Sequence, residues 1–201
     1  MTELGDETHE TDLNGKLLIA MPSMGDGRFD HSVIYLCSHN SEGAMGLIVN
    51  KPAGDLSYAN LIEQVMGSQP EFNMQKLSAL QELPVLLGGP VDTSRGFILH
   101  TDDYASDEAT LSVKDGICVS ASIDILRAIA TGEGPKRSLL ALGYAGWGPG
   151  QLEAEIRANG WLSCAADPDV VLDAMLQTKW ERALSKLGIN AAMLATEGGR
   201  A

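Results

Sequence analysis

Asp30-His31-Ser32 places the three side-chain types of a hydrolytic triad side by side. Adjacent side chains of an extended chain point to opposite faces, so adjacency argues against a working triad, whose partners would have to come from distant segments. His31, His39 and His100 all flank predicted strands, and none stands in HxxxH or HxH spacing, which disfavours metal ligation. Cys37 would act as a nucleophile only if a neighbouring base lowered its pKa, and its apolar strand predicts an inert core thiol. Asn50-Lys51-Pro52 follows a buried strand, where binding residues are often displayed, although a lone Lys there also suits a solvated strand end. Gly88-Gly89-Pro90 would let a ligand approach the backbone closely, or would form a tight turn at a strand end. Gly146-Trp147-Gly148-Pro149-Gly150 precedes a helix, as an anion cradle does. It lacks the Walker lysine, and Glu153 and Glu155 put negative charge where a phosphate would sit, so it reads as a structural turn.

The elements that must hold these residues can be read from periodicity and turn chemistry. Lys16–Met21, Ser32–Ser38 and Ala44–Asn50 are short apolar or β-branched runs and predict strands. The second and third have only a short turn between them and predict a hairpin, since a parallel crossover needs a dozen or more residues. Ser57 caps a helix over Tyr58–Met66 that ends at Gly67. A polar stretch without periodicity follows, then strands at Pro84–Leu87 and Arg95–His100. Asp115-Gly116 between Ala109–Val113 and Ile117–Ala121 is a hairpin signal. Ser122 starts a helix that Gly132 closes. A strand over Arg137–Tyr144, a helix over Gln151–Ala158 and a strand over Trp161–Ala165 follow. Asp167-Pro168 opens a helical turn. Thr178 and Glu181 stand in capping-box spacing before a helix with Trp180, Leu184 and Leu187 on one stripe. Strands joined by turns, with helices inserted between groups of them, predict an α+β domain built on one mixed, mostly antiparallel sheet with flanking helices.

The chain has 201 residues, 44% hydrophobic and 20% charged, which suits one globular domain with a sizeable core. Residues 1–12 read as a disordered acidic tail, 13–189 as the domain and 190–201 as a C-terminal tail. The net charge is −13, of which residues 1–12 supply −5. Such a balance disfavours DNA, because nucleic-acid affinity comes largely from Lys and Arg displacing counterions. Cys37, Cys118 and Cys164 are scattered and form no CxxC pair, so no structural zinc is expected. No leader opens the chain, and the apolar runs are far too short for a membrane span. Free thiols without an export signal suit the cytoplasm.

Several segments, in order, resemble the YqgE/AlgH family. They are Leu13-Asn14-Gly15-Lys16 through Pro22, Glu42-Gly43-Ala44-Met45-Gly46 through Pro52, and Gly88-Gly89-Pro90-Val91 with Arg95-Gly96-Phe97-Ile98-Leu99-His100. Then come Leu142-Gly143-Tyr144 through Glu153 with Asn159-Gly160-Trp161, and finally Trp180, Ala183-Leu184 and Leu187-Gly188-Ile189. The resemblance implies a single α+β domain with a bulged, partly coiled sheet, a bacterial cytoplasmic protein, and a transcriptional-regulator label that describes a genetic effect rather than DNA contact. It brings no agreed catalytic residues. The chain departs from the family where a Pro or acidic residue often precedes the final Trp helix. Met175-Leu176-Gln177-Thr178 stands there, which leaves that helix boundary open.

With no catalytic set, metal spacing or nucleotide motif, the sequence predicts a non-enzymatic regulatory or interaction domain without a cofactor. Its partner is expected to be a protein, docking on an exposed apolar patch near Trp147 or Trp161. A rival reading, an enzyme or binder acting on a small molecule, predicts a pocket that gathers His31, Asn50, Lys51 and His100. A second rival, direct DNA binding, predicts a contiguous basic face.

Overall fold

In the central strands, residues that alternate in sequence separate into different cores, which explains why the strand Lys16–Ala20 and the first part of the strand Val33–Asn40 are apolar on both faces. Leu17, Ile19, Val33, Tyr35, Leu47, Val49, Leu99 and Leu139 face one core. Their neighbours Leu18, Ala20, Ile34, Leu36 and Ile48 face a second, and Ile98 and Leu140 a third.

The computed structural model describes residues 12–67, 72–81, 83–104 and 109–194. Its strands are β1 (Lys16–Ala20), β2 (Val33–Asn40), β3 (Gly43–Ile48), β4 (Pro52–Ser57), β5 (Pro84–Leu87), β6 (Val91–Thr101), β7 (Thr110–Lys114), β8 (Ile117–Ser120), β9 (Ser138–Trp147) and β10 (Trp161–Ala165). Its helices are α1 (Tyr58–Met66), α2 (Met74–Gln81), α3 (Ile123–Thr131), α4 (Gln151–Arg157), α5 (Pro168–Val171), α6 (Lys179–Lys186) and α7 (Ala191–Leu194). The sheet runs β10-β1-β2-β3-β9-β6-β8-β7, all antiparallel, with β5 added parallel to β9 and carrying β4. It is the mixed α+β domain that the strand and turn pattern predicts.

The sheet curls until β7 meets the chain before β1. The Tyr35 hydroxyl donates to the Lys114 carbonyl at 3.4 Å, and Lys114 pairs with Asp12 at 3.6 Å. A Cβ at Gly15 would lie 2.5 Å from that of Lys114, so only glycine fits there. Inside the curl, α5 and α6 insert Val170, Val171, Ala183 and Leu184. Outside it, α1 and α3 cover one stretch with Tyr58, Ile62, Ile125 and Ile129. Trp147, Leu152 and Trp161 cover another.

Most predicted boundaries hold. Ser57 accepts from the Asn60 amide at 3.2 Å, Ser122 from Asp124 at 3.0 Å, and Asp167 from Asp169 at 2.9 Å. Asp115 and Gly116 both take positive φ in the β7–β8 turn. The capping box at Thr178 does not form. A 3-10 turn over Leu176–Thr178 runs straight into α6, so Thr178 is already helical and its hydroxyl donates back to the Met175 carbonyl at 3.2 Å. Leu187 is exposed, and Ala183 takes the buried place predicted for it. Three elements lie where the sequence pattern predicts none: β4, α2 and α7. Residues 1–11 and 195–201, most of the two predicted tails, lie outside the described residues. Within the C-terminal one, Ala191 and Leu194 of α7 pack against the inner core.

Candidate functional site

The turn before β2 is built by hydrogen bonds that its own sequence supplies. Asp26 caps a 3-10 turn at Gly27–Phe29, accepting from the Arg28 amide at 3.0 Å and gripping the Arg28 guanidinium at 2.6 Å. His31 then takes φ +51°, a conformation that costs a non-glycine residue roughly 1 kcal/mol. Asn50, just past β3, holds it there. Its Nδ2 donates to the His31 carbonyl at 2.8 Å and its Oδ1 accepts from the Val33 amide at 2.8 Å. Lys51 Nζ donates to the Arg28 carbonyl at 2.9 Å. Burial lowers the Lys51 pKa, while Asp30 and Asp26 oppose the shift.

Because the backbone is left-handed rather than extended at His31, Asp30 and His31 do face one another, contrary to the alternation argument. His31 Nδ1 lies 2.7 Å from Asp30 Oδ1. An acceptor at Nδ1 holds the proton on that nitrogen and leaves Nε2 for another partner. Ser32 completes no triad: its hydroxyl is buried and finds no hydrogen-bond partner among the described residues.

Opposite this turn stands α6. The Trp180 ring lies 4.5 Å from that of His31, tilted by 58°, and its indole N–H donates to the Ala20 carbonyl at 3.0 Å. Between the two walls lies a cleft of roughly 690 Å³. Asp30, His31, Asn50 and Lys51 form one side; Gln177, Trp180 and Glu181 form the other, and Ala191 and Ala192 of α7 close the end. Beneath it Lys179 is fully buried, donating to the carbonyls of Val49 and Val171, both at 2.8 Å. Burial pulls its pKa down to about 7. A neutral amine has two N–H donors, and these two carbonyls satisfy both.

The other predicted residues lie elsewhere. His100 is buried on β6, with Nε2 2.9 Å from the Ser120 hydroxyl and Nδ1 2.9 Å from the Thr101 carbonyl, and burial lowers its pKa. It does not join the cleft. Gly88 and Gly89 lie against the backbone of β9, away from the cleft. A Cβ at Gly88 would sit 2.3 Å from the Gly143 oxygen, and one at Gly89 2.1 Å from the Tyr144 carbonyl carbon, so both let the chain cross β9.

Trp147 and Trp161 form no exposed patch; they are 7% and 1% exposed. Glu155 on α4 turns back over them, and one carboxylate oxygen accepts both indole N–H groups at 2.9 and 2.7 Å. The Gly148 amide is taken by Gln151 Oε1 at 3.0 Å, so that glycine run closes on its own helix. Cys37 is buried, its pKa pushed up to about 12 by that burial. Among the described residues no three His, Cys, Asp or Glu side chains group as metal ligands, and no helix is long and apolar enough to cross a membrane.

Sequence reasoning missed Trp180 and Lys179. The only signal was the position of Trp180 on the final helical stripe; a Lys beside it reads as solvated.

A curled, mostly antiparallel sheet with a helix pair in its hollow and a cleft at the lip defines the class. The chain belongs to the AlgH-like family, DUF179, whose model matches residues 17–192. A UPF0301 protein of Methylobacterium sp. (strain 4-46) is 54% identical over 189 residues, covering 94% of this chain and 90% of the relative. One from Bradyrhizobium diazoefficiens is 53% identical, covering 94% and 88%. The solution structure of the AlgH protein from Pseudomonas aeruginosa, also UPF0301, matches with TM-score 0.74 and 40% identity over the whole of both chains. A protein of Corynebacterium diphtheriae shares the fold at 18% identity, with TM-score 0.62 over 85% of this chain and 86% of that one.

Proposed function

We propose that this domain is a non-enzymatic regulatory module of the cytoplasm that recognises a protein partner through the cleft between the 26–31 turn and α6. The observation that carries it is the convergence of His31, Asn50 and Lys51 on Trp180 around a hollow of roughly 690 Å³. The cleft pairs an apolar ring with groups that hydrogen-bond, as recognition sites do. Among the described residues its lining holds no Ser, Thr or Cys, and so no hydroxyl or thiol nucleophile. Three buried free thiols support a reducing compartment. The net charge of −13 favours protein contact over DNA as the route of any regulatory effect.

One observation favours a second reading, small-molecule turnover. The Asp30–His31 pair has the geometry of an oriented general base.

The test is capture from native cells by the tagged chain, with nuclease treatment, comparing wild type with a His31→Ala/Lys51→Ala variant. A protein set that survives nuclease and is lost with the variant supports the partner reading. A set retained by the variant, or nucleic acid as the main captured species, overturns it.

A further inference from the structure

Lys51 makes no close ion pair among the described residues, although Asp30 and Asp26 stabilise its charge from further off. The ammonium has three N–H donors, and one of them meets the Arg28 carbonyl. The other two have no acceptor, and the residue no ion pair, among the described residues. Arg28 beside it is paired with Asp26. No carboxylate lies within ion-pair distance of this half-buried lysine among the described residues, and Asp30 and Asp26 act on it only from further off. His31 shares the same wall, with Nδ1 on Asp30 and no partner for Nε2 among the described residues.

The anion that fits carries a single charge. Asp26, Asp30 and Glu181 lie around the cleft, so like-charge repulsion opposes any anion there and is about twice as large for a phosphate dianion as for a monoanion. A carboxylate matches one ammonium and one imidazole, through the short charge-assisted hydrogen bonds such groups form. The cleft also continues. A second hollow of roughly 510 Å³ runs along α6 and α7 and shares Glu181, Ala191 and Ala192 with the first. Room beyond the carboxylate site favours a chain over a compact small acid. Glu181, at the junction, would face a donor or cation a few residues upstream.

We infer that the groove captures the free C-terminus of a partner polypeptide, its terminal carboxylate held by Lys51 and His31 and its upstream residues lying along α6 past Glu181. This rests on the cleft being the recognition site. Capture of a terminal carboxylate by fixed donors is one of the recurring modes of peptide recognition.

The experiment uses the immobilised full chain and a pool of short random peptides, synthesised once with free C-termini and once C-terminally amidated, and read by mass spectrometry. The expected result is enrichment of the free-acid pool by at least about tenfold over the amidated pool. Lys51→Met should abolish that preference. Lys51→Arg, which keeps the charge, should retain part of it, and Arg95→Ala, an exposed cation remote from the cleft, should leave it intact. Melting curves establish that each variant folds. Equal enrichment of both pools that is lost in Lys51→Met and His31→Ala overturns the carboxylate assignment while leaving the cleft as the recognition site. Enrichment indifferent to those substitutions overturns both. No enrichment of either pool overturns the inference, as does capture of free N-acetylleucine at lower concentration than any peptide, which would make the ligand a small acid.

Discussion

The Trp147–Trp161–Glu155 cluster and the His31–Lys51 cleft lie on opposite sides of the 22–31 segment, and they use their polar groups in opposite ways. In the cluster every strong donor is engaged: two indoles and the Gln151 amide all end on Glu155. In the cleft, Asn50 spends its amide on holding the turn, yet Lys51 and His31 keep groups without a partner among the described residues. Polar groups satisfied internally specify the fold, and those left open at a concave surface are what a ligand can bind. The residues most conspicuous in sequence, two tryptophans in glycine-rich surroundings, belong to the first kind.

The largest effect that would break this contrast is expected in the cluster. Trp161→Ala should cost about 4 kcal/mol by denaturant unfolding, while any folded fraction keeps its partner capture. Loss of capture without loss of stability would put recognition at the tryptophans after all.

Next comes Lys179, beneath the cleft. Its pKa is near 7 in the fold and about 10.4 in the unfolded chain, so between those values the unfolded chain binds more protons and stability rises with pH. Above pH about 8.5 the trend is opposed by Cys37, held up to about 12, and by Tyr35 and Tyr58, raised by burial, since the unfolded chain releases those protons first. From pH 7 to 8.5 the expected gain is on the order of 1 kcal/mol, and Lys179→Met should flatten it. An unchanged slope in the variant would mean that the lysine is charged in the folded state.

A smaller effect tests the turn. His31→Gly should be more stable than His31→Ala by about 1 kcal/mol, because φ +51° costs glycine nothing. Both should lose capture, separating the role of the ring from that of the backbone. The smallest effects are expected for Thr178→Ala and Lys51→Met, each within about 0.5 kcal/mol of wild type. Thr178 makes no capping bond to lose, and Lys51 contributes an exposed hydrogen bond. A cost above about 1 kcal/mol at Thr178 would mean that the capping box forms in solution.

Local chemistry made much of this legible. Ser57, Ser122, Asp167 and Asp115-Gly116 act on neighbouring backbone, so the sequence states their roles directly. β4 was hidden because it carries Gly54 at φ +62° and Asp55, poor strand formers, and pairs with β5 only at Pro52 and Ser57. α2 was hidden because its side chains have little apolar periodicity. Asn50 and Lys51 could be singled out as polar residues at a strand end. Their joining His31 and Trp180 depends on α6 folding back from the far end of the chain, and no local pattern encodes that. The left-handed turn at His31 reverses the alternation rule at the one position where the triad was weighed.

β9 has a consequence for how the protein is made. It pairs with β3, β5 and β6, yet it begins at Ser138, after all three have been synthesised. At about 5–20 residues per second, the earlier strands wait several seconds with unpaired, apolar edges before the strand that joins them exists. The growing chain is therefore most exposed to aggregation just before β9 emerges, and trigger-type chaperones have their clearest reason to hold it then.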